Sequence, residues 1–333
     1  MRVALTPEDK TRIGALLDDL AARYPSAEAP AFLSEAPVLS HELPLAVRRA
    51  LLEFRLKEPS PLCIISGYPL DDARIGPTPA HWKERQRHVV PLREEMLLVL
   101  LSFLLGDPIA WATQQDGALV HDIAPIPGHE KEQLGSSSAE ELTWHTEDAF
   151  HPLRGDYLGM MCMRNHERVP TTLAAVDIAE LDAPTLKVLF QPHFTIRPDN
   201  SHLRKNRGDA APSEAAHDRI EEMNTRPEKI PVLFGSPDAP YCRLDPYFMD
   251  EPEDPEARAA LDRLVALINR HLQNVTLEAG DVCFIDNFKA VHGRRPFKAR
   301  FDGTDRWLKR VNITRDLRRS RAFRAAADSR LLL

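Results

Sequence analysis

Glycine is scarce in this chain, and the motif built on it is missing. The 333 residues hold 14 Gly against 28 Pro, and no Gly-x-Gly-x-x-Gly occurs. That argues against glycine-rich loops cradling phosphates and for stiff connections. Excess positive charge is missing as well: 43 Lys+Arg stand against 50 Asp+Glu, −7 overall, which disfavours a general nucleic-acid binder. No apolar run approaches the ~20 residues of a membrane span. The stretch from Met1 to Asp9 meets acids at once and has no apolar signal region. Cysteine is limited to Cys63, Cys162, Cys242 and Cys283, far apart and each in or beside an apolar run, so they read as buried reduced thiols. A cytoplasmic protein is expected, with neither nucleic acid nor membrane as partner.

Hydrophobic residues at 43% and charged residues at 28% describe a globular chain. Its length suggests two domains at roughly 150 residues each, yet a sandwich or barrel wrapped in helices reaches this size as one unit. Thr6-Pro7-Glu8-Asp9 predicts a helix start, with Ile13, Leu16, Leu17 and Leu20 at helical spacing to about Arg23. Further helices are expected at 43–57, 91–105 and 255–272, with a short strand at 61–66 and a Pro/His/Arg-rich connector at 76–90. From residue 109 onward, short strand-like runs dominate: 109–113, 157–163, 171–176, 193–196, 230–234, 275–277, 282–285 and 307–314. Many short strands split by turns predict a mainly β, α+β sandwich or barrel flanked by helices. The segment 199–224 is polar and charged, and reads as either a surface loop or a lid.

Trp144-His145-Thr146-Glu147-Asp148 places an imidazole and a carboxylate two residues apart. In an extended strand, residues i and i+2 share a face, so His145 and Glu147 can grip one metal ion. A third ligand must come from a distant strand. His292 in Ala290-Val291-His292-Gly293-Arg294 is the candidate, with Gly293 letting the backbone approach a ligand. Two His and one carboxylate leave open positions on an octahedral metal, the facial-triad pattern of non-haem Fe(II) oxygenases. Among 13 histidines an isolated His-x-Glu is weak evidence. Arg306 and Arg310 strengthen it. They lie four apart in a strand-like run, so both point to one face. Two buried like charges need anions: either Asp302, Asp305 or Asp316, or small carboxylate ligands.

These residues, with Trp111 to Gly117, Ser136-Ser137-Ser138, Trp144 to Phe150, Asp286-Asn287, His292 to Arg295 and Asp302 to Asp316, resemble the clavaminate synthase-like branch of the Fe(II)/2-oxoglutarate-dependent oxygenases. The likeness runs from about Phe32 to Arg321 and is nearest to hydroxylases of free amino acids, the arginine β-hydroxylases among them. It implies one oxygenase domain over 1–333 with a double-stranded β-helix (jelly-roll) core. Helical support would span about 1–107 and the core about 108–318, with a lid insert at about 199–228. His145, Glu147 and His292 match the metal ligands. Arg306 matches the arginine that pairs with the distal carboxylate of 2-oxoglutarate, and Thr172 a hydroxyl beside it. Arg310 matches the holder of the substrate α-carboxylate, Gln114 and Glu147 the groups that receive its α-amine, and Asp199 a lid acid near its side-chain end. Fe(II), 2-oxoglutarate and O2 are the implied requirements, with succinate and CO2 released.

The chemistry agrees with this assignment. 2-Oxoglutarate is a dianion whose far carboxylate needs a fixed cation, and the planar fork of Arg suits it better than Lys. Iron halogenases of the superfamily lack the carboxylate ligand that Glu147 supplies, so hydroxylation is expected. Arginine hydroxylases of the branch place two acids one residue apart on the guanidinium, whereas the matching positions here are Asp245 and Tyr247. One acid with Tyr247 and Asp199 suits a compact ammonium, which puts L-lysine ahead of L-arginine and citrulline third. Attack is expected on the β or γ carbon. Rival readings are a zinc hydrolase on the same ligands, disfavoured because His-Glu-x-x-His is absent, a non-catalytic metal-binding module, and an oxygenase of carrier-bound residues, for which Arg310 would be useless. Oligomeric state is not readable from the sequence. The stretch from His292 to Arg324 holds twelve Lys and Arg against three acids, a basic end that the overall charge conceals.

Overall fold

The computed structural model describes residues 1–86, 92–208 and 213–333. Helix α1 (Pro7–Arg23) starts as its sequence dictates: the Thr6 hydroxyl accepts the Asp9 N–H while Asp9 accepts the Thr6 N–H, and Ile13, Leu17 and Leu20 form the buried stripe. Helix α2 (Pro30–Leu39) gives no such signal, having no side-chain cap and Pro37 inside it. Helices α3 (Leu45–Lys57) and, after the single turn α4 (Asp72–Ile75), α5 (Leu92–Phe103) complete the support. Residue 91 of the expected third helix and 87–90 of the expected connector lie outside the described residues.

Among the described residues the larger sheet has the order β1 (Arg2–Ala4), β2 (Leu62–Ser66), β11 (Val282–Asp286), β6 (Tyr157–Arg164), β13 (Trp307–Thr314), β3 (Asp107–Trp111), β14 (Leu331–Leu332), with β4 (His121–Ile123) also paired to β13. The smaller sheet runs β10 (Gln273–Val275), β7 (Thr171–Ala175), β12 (Ala290–Arg294), β5 (Leu142–His145). Leu158, Met160, Cys162, Leu173, Cys283 and Leu308 fill the space between them. Helices α1, α3 and α5 bury the outer face of the larger sheet. Helices α6 (Ala183–Leu189) and α8 (Pro255–His271) cover the smaller one, through Leu189, Leu261, Leu264 and Ile268 on Trp144, Ala174 and Val291. This is the expected jelly roll flanked by helices. All four cysteines are buried and unpaired, and no described helix is long and apolar enough to cross a membrane.

Strand β13 decides where the site lies. Leu308 points between the sheets, whereas Trp307, Val311 and Ile313 face the helices. Lys309 is 1% exposed on that helical side and is matched by Glu95 at 2.8 Å and Asp122 at 2.5 Å. The same alternation sends Arg306 and Arg310 inward with Leu308.

Two expectations change. Runs 193–196 and 230–234 make only isolated bridges, Phe194 with Ile230 and Ile196 with Met249, and β8 (Leu233–Ser236) begins at the end of the second, paired to β9 (Ala239–Cys242). Their apolar residues serve packing, not a ladder. The polar segment is no plain loop: short turns at Asn200–His202 and Arg204–Asn206 precede helix α7 (Glu214–Thr225), which buries Ala216, His217 and Ile220. Residues 209–212 of the expected lid insert lie outside the described residues.

Candidate active site

His145 ends β5 and His292 sits in the middle of β12, and the two are register partners, with ring centroids 4.7 Å apart. Nδ1 of His145 lies 2.8 Å from the Thr143 carbonyl oxygen and so carries the proton, leaving Nε2 as the free donor atom. Thr146 ends the strand by turning its N–H and hydroxyl to the Leu244 carbonyl. Glu147 therefore reaches the site from the turn that follows, not from the extended strand its spacing predicts. Asn287 clamps its backbone, accepting the Glu147 N–H at 2.6 Å and donating to the Glu147 carbonyl at 3.0 Å. Glu147 Oε2 lies 3.7 Å from His145 Nε2 and 3.3 Å from His292 Nε2. One ligand atom from each of the three residues falls within 4.8 Å of the others. Two imidazole nitrogens and a carboxylate oxygen, converging in this way, fit a divalent iron. Burial pushes the Glu147 carboxyl up, but the Arg310 charge and the two imidazoles hold it well below its ordinary value.

Gly293 serves a different end from the one expected. A Cβ there would stand 2.4 Å from the Leu142 carbonyl oxygen, beside the register shift between β12 and β5. Its bareness lets two strands approach, not a ligand.

Arg306 precedes β13 and lines the same cavity as the three candidate ligands. It is 8% exposed, its Nη2 donates to Thr171 Oγ1 at 3.1 Å, and its Nε has no partner. None of the three nearby acids neutralises it. Asp305 accepts the Arg300 and Phe301 N–H groups, Asp302 binds Thr304, and Asp316 binds Arg318. Burial lowers the guanidinium pKa. Arg294 lies in the same wall, also buried, its Nη atoms satisfied by Ser138 O, Ser137 Oγ and neighbouring carbonyls. Burial and then the Arg306 charge bring it down to about 9. Two guanidinium groups, neither hydrogen-bonded to a carboxylate among the described residues, fit a dianion such as 2-oxoglutarate. The hydroxyl beside Arg306 is that of Thr171, which corrects the expectation for Thr172. Thr171 shares the inward face of β7 with Leu173, while Thr172 shares the opposite face with Ala174, and its hydroxyl has no partner.

On the other side, Arg310 Nη1 donates to Glu147 Oε1, and Nη2 lies 3.3 Å from Gln114 Oε1 and 2.9 Å from His121 Nδ1. Gln114 Nε2 donates to Ser201 Oγ at 2.6 Å. Asp199, Asp245 and Tyr247 line the cavity, Tyr247 at its exposed rim. Asp245 is 6% exposed and accepts the Tyr247 and Phe248 N–H groups, with no Lys or Arg beside it among the described residues. Burial raises its carboxyl to about 6. All the expected site residues except Thr172 thus gather round one cavity or, for Gln114, directly against Arg310. Sequence reasoning missed Thr171, Arg294, Ser201, His202 and the role of Asp148. Arg294 and Ser201 each stand two residues from one already singled out, His292 and Asp199, but that spacing alone does not tell which side chain points inward.

Comparison with known proteins follows this geometry. The sequence model described as "Taurine catabolism dioxygenase TauD, TfdA family" matches residues 103–312. An enduracididine beta-hydroxylase of Streptomyces hygroscopicus is 45% identical over 98% of this chain and 98% of its own. An L-ornithine/L-arginine 3-hydroxylase of Catenulispora acidiphila is 46% identical over 99% of each. The crystal structure of the non-heme iron oxygenase OrfP with Fe, succinate and (3S)-hydroxy-L-Arg superposes with a TM-score of 0.96, at 48% identity over 100% of both chains. With its jelly roll, its converging His, Glu and His, and this match over most of its length, the chain belongs to the TauD/TfdA family of dioxygenases.

Proposed function

We propose that the chain is an Fe(II)- and 2-oxoglutarate-dependent hydroxylase of a free basic L-amino acid. One observation carries the reading: a single cavity holds a buried arginine with no carboxylate beside it, Arg306, and a buried acid with no Lys or Arg beside it, Asp245, among the described residues. Each costs several kcal/mol unless a ligand of opposite charge meets it. His145, Glu147 and His292 would hold the iron, and Arg306 with Thr171 the distal carboxylate of 2-oxoglutarate. When bound, iron, 2-oxoglutarate and O2 supply the oxidising power that turns C–H into C–OH, with succinate and CO2 released. Arg310 takes the α-carboxylate of the amino acid, and Gln114 Oε1 and Glu147 take its α-amine. Arg310 and Glu147 thereby exchange each other for the two ends of a zwitterion, and the site stays neutral. The side chain then points toward Asp245, Asp199 and Tyr247.

The related hydroxylases act, by name, on enduracididine and on ornithine and arginine. That similarity outweighs the single-residue argument from Tyr247, because an aromatic ring stacks on a guanidinium as well as on an ammonium. A guanidino amino acid therefore ranks first and lysine or ornithine second, with attack at C3. Succinate release and product identification across arginine, ornithine, lysine and citrulline test this. Turnover that requires a basic side chain and hydroxylates C3 supports it, and no response to any basic amino acid defeats it. Loss of turnover in Arg310→Ala separates a free amino acid from a carrier-bound residue, which would be indifferent to that change.

A further inference from the structure

Two routes join the lid to the metal site. The first runs through side chains that the amino acid itself claims. The Ser201 hydroxyl donates to Asp199 Oδ1 at 2.5 Å and accepts from Gln114 Nε2 at 2.6 Å; Gln114 Oε1 accepts from Arg310, which donates to Glu147. The second bypasses the substrate. His202 is fully buried, with Nε2 3.0 Å from Asp148 Oδ1 and Nδ1 2.7 Å from Thr113 Oγ1. Trp111 Nε1 and Asn312 Nδ2 hold the other oxygen of Asp148 at 2.6 and 3.1 Å. The imidazole also meets the rings of Phe150 and Trp111 edge-on, centroids 4.9 and 5.7 Å away. The lid's imidazole is thus seated in a socket built from the end of β3, the turn after Glu147 and the inward face of β13.

The order of these contacts has a consequence. An amino acid whose ammonium takes Gln114 Oε1 and Glu147 and whose carboxylate takes Arg310 must replace the bonds that Arg310 makes to Gln114 and Glu147, so the first route opens when the lid is most needed. We propose that His202 is the lid's fixed anchor, a positioning residue that keeps Asp199 and Ser201 at the side-chain end of the amino acid while Gln114 and Arg310 change partners. This rests on the reading of Gln114 and Arg310 as the amino-acid clamp. His202 needs no contact with substrate, iron or 2-oxoglutarate to act in this way.

The test uses the full chain with His202→Ala, His202→Gln and Thr113→Val. Arg204, Lys205 and Arg207 are exposed just beyond the anchor, so trypsin reports lid release directly and independently of activity. In His202→Ala, cleavage at these residues speeds up about tenfold, since local opening sets the rate. The KM for the amino acid rises at least about tenfold, as for a misplaced positioning group, while that for 2-oxoglutarate stays within about twofold. His202→Gln, which keeps a donor for Asp148, recovers part of both effects. Thr113→Val, which removes one partner only, shows a smaller change in the same direction and serves if His202→Ala does not fold. A folded His202→Ala protein with the wild-type cleavage rate overturns the proposal. So does a KM for 2-oxoglutarate that rises in step with that for the amino acid, which would mean general collapse of the site. If the wild-type protein turns over no basic amino acid, the functional reading fails, and the cleavage rates still decide the anchor.

Discussion

Replacing Arg306 with Met should weaken 2-oxoglutarate binding without weakening the fold. The guanidinium is 8% exposed, makes one side-chain hydrogen bond, to Thr171, leaves Nε unpartnered, and has no carboxylate beside it among the described residues. A structural arginine in that position would be paired. An uncompensated buried charge costs several kcal/mol, so an apolar side chain of similar length should leave the melting temperature without 2-oxoglutarate unchanged or raised. With the dianion present the sign reverses. At ~4 Å and an effective dielectric of about 20 the pair gains roughly 4 kcal/mol before desolvation. Charge-assisted hydrogen bonds retain about 1.5–3 kcal/mol of that, which corresponds to a rise of about 10- to 150-fold in the KM for 2-oxoglutarate. Two assays read the outcome: thermal unfolding with and without 2-oxoglutarate, and succinate release against its concentration. The wild-type protein gains stability from the ligand by mass action, and Arg306→Met gains less at the same concentration. A variant several degrees less stable without 2-oxoglutarate, yet with an unchanged KM, would make Arg306 a structural residue and refute the reasoning.

Asp245, raised to about 6 by burial, is charged above that pH and neutral below it, so the KM for a basic amino acid should climb as pH falls through about 6. Asp245→Asn should flatten that limb and erase the preference for basic over neutral side chains; an unchanged profile counts against Asp245. The fold prefers the neutral acid, so the stability from this group is full below about pH 4 and is lost as pH rises to about 6, by up to roughly 3 kcal/mol. Asp245→Asn is therefore expected to melt higher at pH 8. Lys309→Met strands Glu95 and Asp122 as buried acids and should cost about 3–5 kcal/mol in urea unfolding. Chelation should abolish turnover, Fe(II) should restore it, and Zn(II) should not; recovery with zinc alone would revive a hydrolase.

Much of the site was legible because its spacing obeys strand geometry. His145 and His292 sit on paired strands, and Arg306 and Arg310 share a face because the register shift between Trp307 and Leu308 skips a residue of β6, Met163, and none of β13. What failed was parity in a short strand. Pro170-Thr171-Thr172 offers two adjacent hydroxyls, and only the register of β7 with β12 decides that Thr171 faces inward. Gly293 was read correctly as a close approach, but the sequence could not say what approaches. His202 escaped for another reason: it looks like one more polar residue in a polar segment, and its burial depends on Asp148, Thr113 and Trp111, far away in the chain. Arg324 is similar. No role could be read for it, yet it is buried and holds the carbonyls of Leu317, Ala326 and Ser329.

The most direct measurement is product analysis after incubation of the chain with L-arginine, Fe(II), 2-oxoglutarate and isotopically labelled O2. Hydroxyarginine and succinate should form in equal amounts, with labelled oxygen on C3 of the amino acid and in the succinate. Absence of amino-acid-dependent succinate with arginine, ornithine and lysine alike, or turnover that proceeds without 2-oxoglutarate, would contradict the assignment.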